Sequence, residues 1–258
     1  TRTDGVEYLS FLTGAIWHRP RDVTVQVRVR EPRKSRPPPG SGGGKSSNDS
    51  KDAAAKKLTR QMTQAKSATE LLDLLDGPLD GAIFNTFHAS AAYHSLATWK
   101  RKGGLTPGDK ASPVLPRLAA RVQDMALKGQ LEPRGVANVF WSLGQLRDDV
   151  DISKGLLMAL VKSSDEKAKG MKPQELSNTL LACLQLKGVV PQVLTALPKL
   201  AAQISIKAKD MVPQDLSNNL WASGQLKDDA PEVLQMVPAL LEEIPRNQAG
   251  FNLQVICN

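Results

Sequence analysis

Cysteine is almost absent from this 258-residue chain, which contains only Cys183 and Cys257. Both thiols lie in apolar segments far from each other in sequence. Two such residues exclude a disulfide framework and a cysteine-rich zinc site, and they suit a reducing compartment or a matrix. The fold must therefore be stabilised by an apolar core and not by covalent crosslinks.

The signals of a membrane protein or an enzyme are also missing. No apolar run approaches the roughly 20 residues that span a bilayer. The three histidines, His18, His88 and His94, stand at neither metal-site nor catalytic-triad spacing from a carboxylate or thiol. The glycine-rich segment 40–47 fails as a phosphate-binding loop, because Pro39 replaces its first glycine and no helix is expected to follow. We predict no enzyme activity, no metal and no cofactor.

Positive charge is concentrated in the first quarter of the chain. Residues 1–66 hold 14 lysines and arginines against 6 acidic residues, whereas residues 67–258 hold 20 of each. The net charge of +8 therefore belongs to the N-terminal region. A basic region of this kind attracts nucleic acid or anionic membranes over a long range.

The basic N-terminal region, residues 1–66, is predicted to be largely disordered. Residues 23–30 alternate apolar and polar side chains, a strand pattern that has no partner elsewhere in the chain. Residues 31–50 are rich in Pro, Gly, Ser and Lys, which indicates a disordered linker. Good helix formers in residues 52–66 favour a helix there.

From Ser67 onward the chain has the character of a helical array, residues 67–258. Ser67 and Glu70 have capping-box spacing and open one helix, and a second is predicted from Phe87 to Trp99. The sequence starts at Thr1 and stops at Asn258 within an unfinished repeat. We interpret it as a fragment, truncated at its C-terminus, of a longer protein.

The array repeats every 40 residues. Segments 171–190 and 211–230 are identical at 11 of 20 positions, far above chance. The residues that recur in three units are Pro133, Pro173 and Pro213; Asn138, Asn178 and Asn218; Gln145, Gln185 and Gln225; and Leu146, Leu186 and Leu226.

Each unit has the layout of a helical hairpin. The proline opens a first helix of about 14 residues, a turn with Gly or Asp follows, and a second amphipathic helix returns. Pro198 and Pro238 fall within the second helices and predict a kink in each. Because one hairpin cannot bury its apolar face alone, we predict an all-α fold, an α-solenoid of about four units, with another starting near Phe251.

Two of the units carry a recognisable motif. Residues 173–182, Pro-Gln-Glu-Leu-Ser-Asn-Thr-Leu-Leu-Ala, and residues 213–222, Pro-Gln-Asp-Leu-Ser-Asn-Asn-Leu-Trp-Ala, resemble octotricopeptide repeats. Residues 134–143 are a looser copy, and residues 65–99 resemble the opening repeats of RAP-domain and FAST-kinase-like organelle proteins. The resemblance covers residues 65–258, and no RAP domain, the usual candidate nuclease of that group, lies within the chain.

The resemblance implies a helical repeat scaffold that binds single-stranded RNA with sequence or structure selectivity. Such a scaffold acts in organelle RNA processing, transcript stability, ribosomal RNA maturation or translation. It implies an organelle location, the mitochondrial matrix ahead of the chloroplast stroma, with other RNA-processing or ribosomal proteins as further partners and neither a membrane nor a small-molecule substrate. The alternative is a protein–protein scaffold subunit of an organelle ribonucleoprotein or another complex.

Some columns of equivalent positions vary between units, as base-reading positions should. One column holds valine, threonine and asparagine in turn, and the residues that directly follow each proline also differ. A solvated helix start explains the acidic ones equally well. These candidate RNA contacts are Arg134, Gln174, Glu175, Gln214, Asp215, Thr179 and Asn219.

The column Asn138, Asn178 and Asn218 is the same in all three units. Asparagine is a poor residue for a helix interior, so its retention needs a cause. We favour an amide that bridges stacked hairpins over a base contact, because a base-reading column should vary. Both interpretations stay open at this point.

Aromatic and basic columns complete the set of candidates. Trp141, Leu181 and Trp221 are assigned to the core in preference to base stacking. A basic residue ends each first helix, where it either suits the helix dipole or contacts phosphate. These basic residues are Arg147, Lys187 and Lys227, with Lys100, Arg101 and Lys102 as a second candidate for phosphate.

Overall fold

The structure is a computed structural model that describes residues 47–246, and all regular secondary structure in that range is helical. This confirms the all-α prediction. The α-helices are α1 Ser47–Gln64, α2 Ala68–Asp76, α3 Thr86–Arg101, α4 Pro107–Lys110, α5 Val114–Leu127, α6 Pro133–Leu146, α7 Lys154–Lys167, α8 Pro173–Leu186, α9 Leu197–Lys207, α10 Pro213–Leu226 and α11 Val237–Glu243. The 3-10 helices are Ala168–Gly170, Pro191–Ala196, Ala208–Asp210 and Pro231–Met236. The predicted strand at 23–30 and the repeat near Phe251 lie outside the described residues.

The repeat prolines open three helices of equal length. Helices α6, α8 and α10 each have 14 residues and begin at Pro133, Pro173 and Pro213. Proline suits this place because its missing N–H has no partner in the first turn of a helix and its φ is already helical. The predicted starts and lengths of these helices are confirmed.

The second helices of the later units are broken and not merely kinked. A 3-10 helix, Pro191–Ala196, precedes α9, and Pro198 lies in the first turn of α9. Pro238 holds the same place in α11 after the 3-10 helix Pro231–Met236. Proline donates no backbone hydrogen bond, so an α-helix can start at its position but cannot run unbroken through it. The prediction of one kinked helix is therefore wrong in form, although the break lies at the predicted place.

One continuous apolar core runs through the described helices. Helix α6 packs between α3 and α8, and α8 packs in turn against α10. On the other side, α7 packs against α5 and against the 3-10 helix Pro191–Ala196. The helices that open the units thus stack on one another, and the helices that close them stack beside that layer.

Charged pairs tie neighbouring helices together at equivalent places. Lys100 at the end of α3 pairs with Asp149 after α6, with Nζ and Oδ2 2.6 Å apart. Lys187 at the end of α8 pairs in the same way with Asp229 after α10, at 2.5 Å. The correspondence places Thr86 of α3 in register with Pro133 of α6.

Helix α1 lies ahead of the predicted boundary at residue 66 but contributes to the same core. Leu58 and Met62 are buried, and Thr59 Oγ1 lies 3.0 Å from Nε2 of the buried His88 in α3. The helix begins at Ser47, so the expectation that no helix follows this residue is wrong. It also extends into the segment 31–50 that we predicted as a disordered linker.

The start of α2 uses the predicted serine cap. Ser67 Oγ accepts a hydrogen bond from the Glu70 N–H at 3.0 Å. The Glu70 carboxylate accepts from the Lys66 N–H at 2.7 Å, one residue earlier than a reciprocal capping box requires.

Within the described part of the chain, no helix is long and apolar enough to cross a membrane.

Candidate nucleic-acid interface

Helices α6, α8 and α10 present the same stripe of side chains to the surface. Their second, sixth, ninth and thirteenth residues are half-buried or exposed, whereas most positions between them are buried. Steps of four, three and four residues keep these positions on one side of a helix. We call the combined surface the amide face: Arg134, Asn138, Trp141 and Gln145; Gln174, Asn178, Leu181 and Gln185; Gln214, Asn218, Trp221 and Gln225.

The three stripes lie side by side because their helices stack. Gln145 Nε2 donates to Gln185 Oε1 at 3.2 Å across the junction of α6 and α8. Helix α3 extends the same surface, since the rings of His94 and Trp141 lie 5.6 Å apart. The amide face is therefore continuous with α3, and the combined surface crosses the four stacked helices α3, α6, α8 and α10.

The Asn138, Asn178 and Asn218 side chains are half-buried on this face. The amides of Asn138 and Asn178 form no side-chain hydrogen bond within residues 47–246, and Asn218 Oδ1 accepts only from Gln214 Nε2 of its own helix, at 3.0 Å. The predicted bridge between hairpins is therefore absent from this column of the described array. The amides are left able to pair with water or a ligand.

The bridging amide occurs one residue later. Asn219 Nδ2 donates to Ser177 Oγ of α8 at 2.9 Å, and Asn219 is completely buried. Thr179 is also completely buried, and its hydroxyl donates to the Glu175 carbonyl at 2.8 Å. The prediction that Thr179 and Asn219 contact RNA is wrong, because this column faces the neighbouring helix and has no accessible surface.

The positions that follow the repeat prolines divide into two groups. Arg134 and Gln174 are exposed and Gln214 is half-buried, so all three can reach a ligand. The carboxylate of Glu175 instead accepts the Lys172 N–H at 2.9 Å and caps α8. Asp215 is only 6 % exposed.

Burial makes the carboxyl of Asp215 a weaker acid than an exposed aspartate. Loss of hydration raises the pKa of its carboxyl to about 6, and a hydrogen bond from the Val212 N–H partly opposes that rise. A side chain at this depth caps α10 and does not contact RNA. The prediction of an RNA contact at Asp215 is therefore wrong, and the alternative of a solvated helix start does not hold for this buried carboxyl either.

The tryptophan column is shared between core and surface. Trp141, Leu181 and Trp221 pack against the core but remain partly accessible on the amide face. Phe87 in α3 takes the place of Arg134 and is 79 % exposed. Sequence reasoning missed Phe87, although carrying the repeat register back from α6 to α3 would have placed it in the first column.

The basic residues at the ends of the first helices lie among carboxylates. Lys187 pairs with Asp229, and Lys227 Nζ lies 2.7 Å from Asp228 Oδ2. Arg147 donates to the Gly144 carbonyl at 2.9 Å and lies 3.5 Å from Asp148. A helix C-terminus and neighbouring aspartates account for these three cations.

Two arginines lie near His94, where α3 meets the amide face. The pKa of His94 is lowered mainly by burial and further by the nearby guanidinium groups of Arg101 and Arg134. Lys102 Nζ lies 5.5 Å above the ring of Trp99 at the end of α3.

In the described range, no three His, Cys, Asp or Glu residues are grouped as metal ligands.

Comparison with known proteins adds no relative to this picture. No family model matches the chain, and no curated protein matches it significantly. The likeness to octotricopeptide repeats therefore rests on the motif residues themselves.

Proposed function

We propose that this chain is an α-solenoid of octotricopeptide-like hairpins that binds single-stranded RNA on its amide face. The observation that carries this function is the pair of half-buried Asn138 and Asn178 amides without a hydrogen-bond partner in the described structure. An amide offers both a donor and an acceptor, which suits the edge of an unstacked base.

The neighbours of these amides suit the same ligand. Trp141 and Trp221 offer partly accessible rings against which bases stack, and such stacking contributes about 1–3 kcal/mol per base. Arg134 and Gln174 vary in the first column and supply different hydrogen-bonding groups to successive bases. Helical repeat proteins that read RNA use about one unit per base in this manner.

The setting of this activity follows from the same resemblance. We infer a role in organelle RNA processing, transcript stability, ribosomal RNA maturation or translation, with the mitochondrial matrix preferred over the chloroplast stroma. The basic region 1–66 would add a sequence-independent attraction for RNA.

A protein–protein scaffold is the second candidate function. It is favoured by the charge balance of residues 67–258, which hold 20 basic and 20 acidic residues. Stacked helical hairpins offer an extended surface to protein partners as readily as to RNA. A scaffold of this kind would need no unpaired amides and would show no preference among RNA sequences.

The test compares the whole chain with two double variants. Asn138→Ala with Asn178→Ala removes the unpaired amides. Gln192→Ala with Gln235→Ala removes two exposed amides from the 3-10 helices Pro191–Ala196 and Pro231–Met236. Fluorescence anisotropy with labelled RNAs of about 12 nucleotides and different sequence, at low and at near-physiological salt, measures the affinities, because affinity for RNA depends on salt.

We expect the asparagine variant to lose about tenfold in preference between the best and the worst RNA, since an amide–base pair discriminates by about 1–3 kcal/mol. The glutamine variant should bind like the parent chain. No binding by the parent at low salt, or equal binding of all sequences by all three proteins, would reject the proposal.

A further inference from the structure

Lysines concentrate at the edge of the array where α8 and α10 begin. Residues 167–172 include three lysines and no acidic residue, and residues 207–210 include two lysines and Asp210. We call Lys169, Lys172 and Lys209 the lysine edge. All three are exposed, and no carboxylate within residues 47–246 lies within ion-pair distance of any of them.

The opposite edge, where the same helices end, has the reverse balance. Residues 147–151 contain one arginine and three aspartates, and residues 227–229 contain one lysine and two aspartates. Residues 187–190 contain one lysine and no acidic residue, so the edge holds five aspartates and three basic residues in these segments. Each hairpin pairs a helix N-terminus with a C-terminus at either edge, so the helix dipoles largely offset one another. The difference between the edges therefore comes from side-chain charge.

One contact holds the lysine edge in shape. Lys207 Nζ donates to the Lys169 carbonyl at 2.8 Å and to the Met171 carbonyl, which joins the turn before α8 to the turn before α10. These acceptors are neutral, so the charge of Lys207 is not cancelled. The turn that carries Lys169 and Lys172 is thereby fixed beside the first column of the amide face, because Lys172 directly precedes Pro173.

We infer that the sugar–phosphate backbone of the bound RNA runs along the lysine edge, with its bases directed across the amide face. This inference rests on the proposed function. It assigns phosphate binding to Lys169, Lys172 and Lys209 in place of Arg147, Lys187 and Lys227, whose charges are taken up by aspartates and a helix end. Stacked helices lie about 8–10 Å apart, so the units opened by α8 and α10 present Lys169 and Lys209 as successive cations to one strand, whereas Gly129 holds the same place before α6.

The experiment uses the whole 258-residue chain and three sets of substitutions. The edge variant is Lys169→Gln, Lys172→Gln and Lys209→Gln. The matched control is Lys154→Gln, Lys162→Gln and Lys199→Gln, which removes the same charge from exposed positions on α7 and α9. A third variant, Arg147→Gln with Lys227→Gln, tests the aspartate-rich edge.

Affinity for a labelled pool of single-stranded RNA, about 12 nucleotides long, is measured across a series of KCl concentrations from roughly 50 to 400 mM. Each phosphate contact contributes about 0.7 to the slope of log affinity against log salt, so the edge variant should reduce that slope by about 2. The other two variants should keep the parent slope. A second measurement on the parent chain, lysine acetylation followed by mass spectrometry, should show that RNA protects the lysine edge and leaves Lys187 and Lys227 reactive.

Two outcomes overturn the inference alone. The first is an unchanged salt slope in the edge variant, which binding through the basic region 1–66 would give. The second is a reduced salt slope in the third variant, together with protection of Lys187 and Lys227 from acetylation in the parent chain. Absence of RNA binding by the parent chain at the lowest salt rejects the proposed function and this inference with it. Melting curves of all variants identify any that fail to fold, and the acetylation pattern of the parent chain then decides.

Discussion

Single residues at equivalent positions of the repeat have different chemical roles. Glu175 and Asp215 both cap the helix that follows the repeat proline, yet Glu175 is half-buried whereas Asp215 is almost fully buried. The Thr179 hydroxyl donates a hydrogen bond within its own helix, whereas the Asn219 amide at the equivalent place in α10 donates to Ser177 of the neighbouring helix α8. A fixed backbone position thus tolerates different polar side chains, although the buried Asn219 Oδ1 has no hydrogen-bond partner within the described residues.

The buried carboxyl of Asp215 should make stability depend on pH. Its folded-state pKa of about 6 lies above its ordinary value of 3.8, so the folded protein binds an extra proton between these values. Burial of the ionised Asp215 carboxylate lowers the free energy of unfolding, and this loss is absent below about pH 4 and complete above about pH 6. Asp215→Asn should therefore raise the free energy of unfolding by about 1–3 kcal/mol at a pH of about 7.5, and the gain should vanish near pH 4.

Thermal melts of both proteins across that range of about pH 4 to 7.5 measure this effect. Asp210→Asn, at an exposed neighbouring position, is the matched control. A difference between Asp215→Asn and the parent that does not change with pH would show that the carboxylate is hydrated in solution.

At the scale of elements, α1 packs against α2 and α3. The Nδ1 atom of His88 accepts the Asn85 N–H at 3.1 Å, so its Nε2 carries the proton in the neutral ring. That Nε2 lies 3.0 Å from the Ala55 carbonyl and from Thr59 Oγ1, both in α1. His88 therefore links the cap of α3 to α1.

We predict that His88→Ala releases α1 without unfolding the array. Loss of a buried ring and its hydrogen bonds should cost about 2 kcal/mol locally, which corresponds to a roughly 30-fold rise in the hydrogen exchange of α1 amides. Exchange in α8 and α10 should stay as in the parent. His94→Ala, a residue of the same helix that faces Trp141, is the control, and equal acceleration in every helix would contradict the prediction.

At the scale of the whole molecule, one ion pair between units is missing from the described array. Lys100–Asp149 and Lys187–Asp229 occupy equivalent places, but the residue that corresponds to these aspartates opposite Arg147 is Val189, which is 44 % exposed. Arg147 turns back to the end of its own helix. The gap lies between α6 and α8, in the middle of the stack.

Val189→Asp should restore the pair and raise the free energy of unfolding by about 0.5 kcal/mol, as expected of an exposed ion pair. The gain should disappear in the presence of Arg147→Gln and shrink at about 1 M salt. Val189→Asn serves as the uncharged control in urea titrations. A gain that persists without Arg147 would show that the equivalence of the units does not extend to this contact.

Much of the architecture could be predicted from sequence because it depends on local signals. Prolines at 40-residue intervals predict the starts of α6, α8 and α10, and the helical periodicity of leucines predicts their buried sides. Site residues were predicted less well. Asn138 and Asn219 are both polar residues of helical segments, and the sequence does not reveal that one lies on the surface and the other in the core.

The 40-residue repeat, the all-α class and the uneven distribution of charge were determined by the sequence itself, since each follows from spacing or composition. Only the tertiary structure decided which polar residues are exposed, because exposure depends on how far each neighbouring helix covers the one before it. It likewise decided that Lys187 and Lys227 lie beside aspartates while Lys169, Lys172 and Lys209 stand clear of carboxylates in the described range. Ion pairs form between residues brought together by stacking, and a count of charges along the chain does not contain that information.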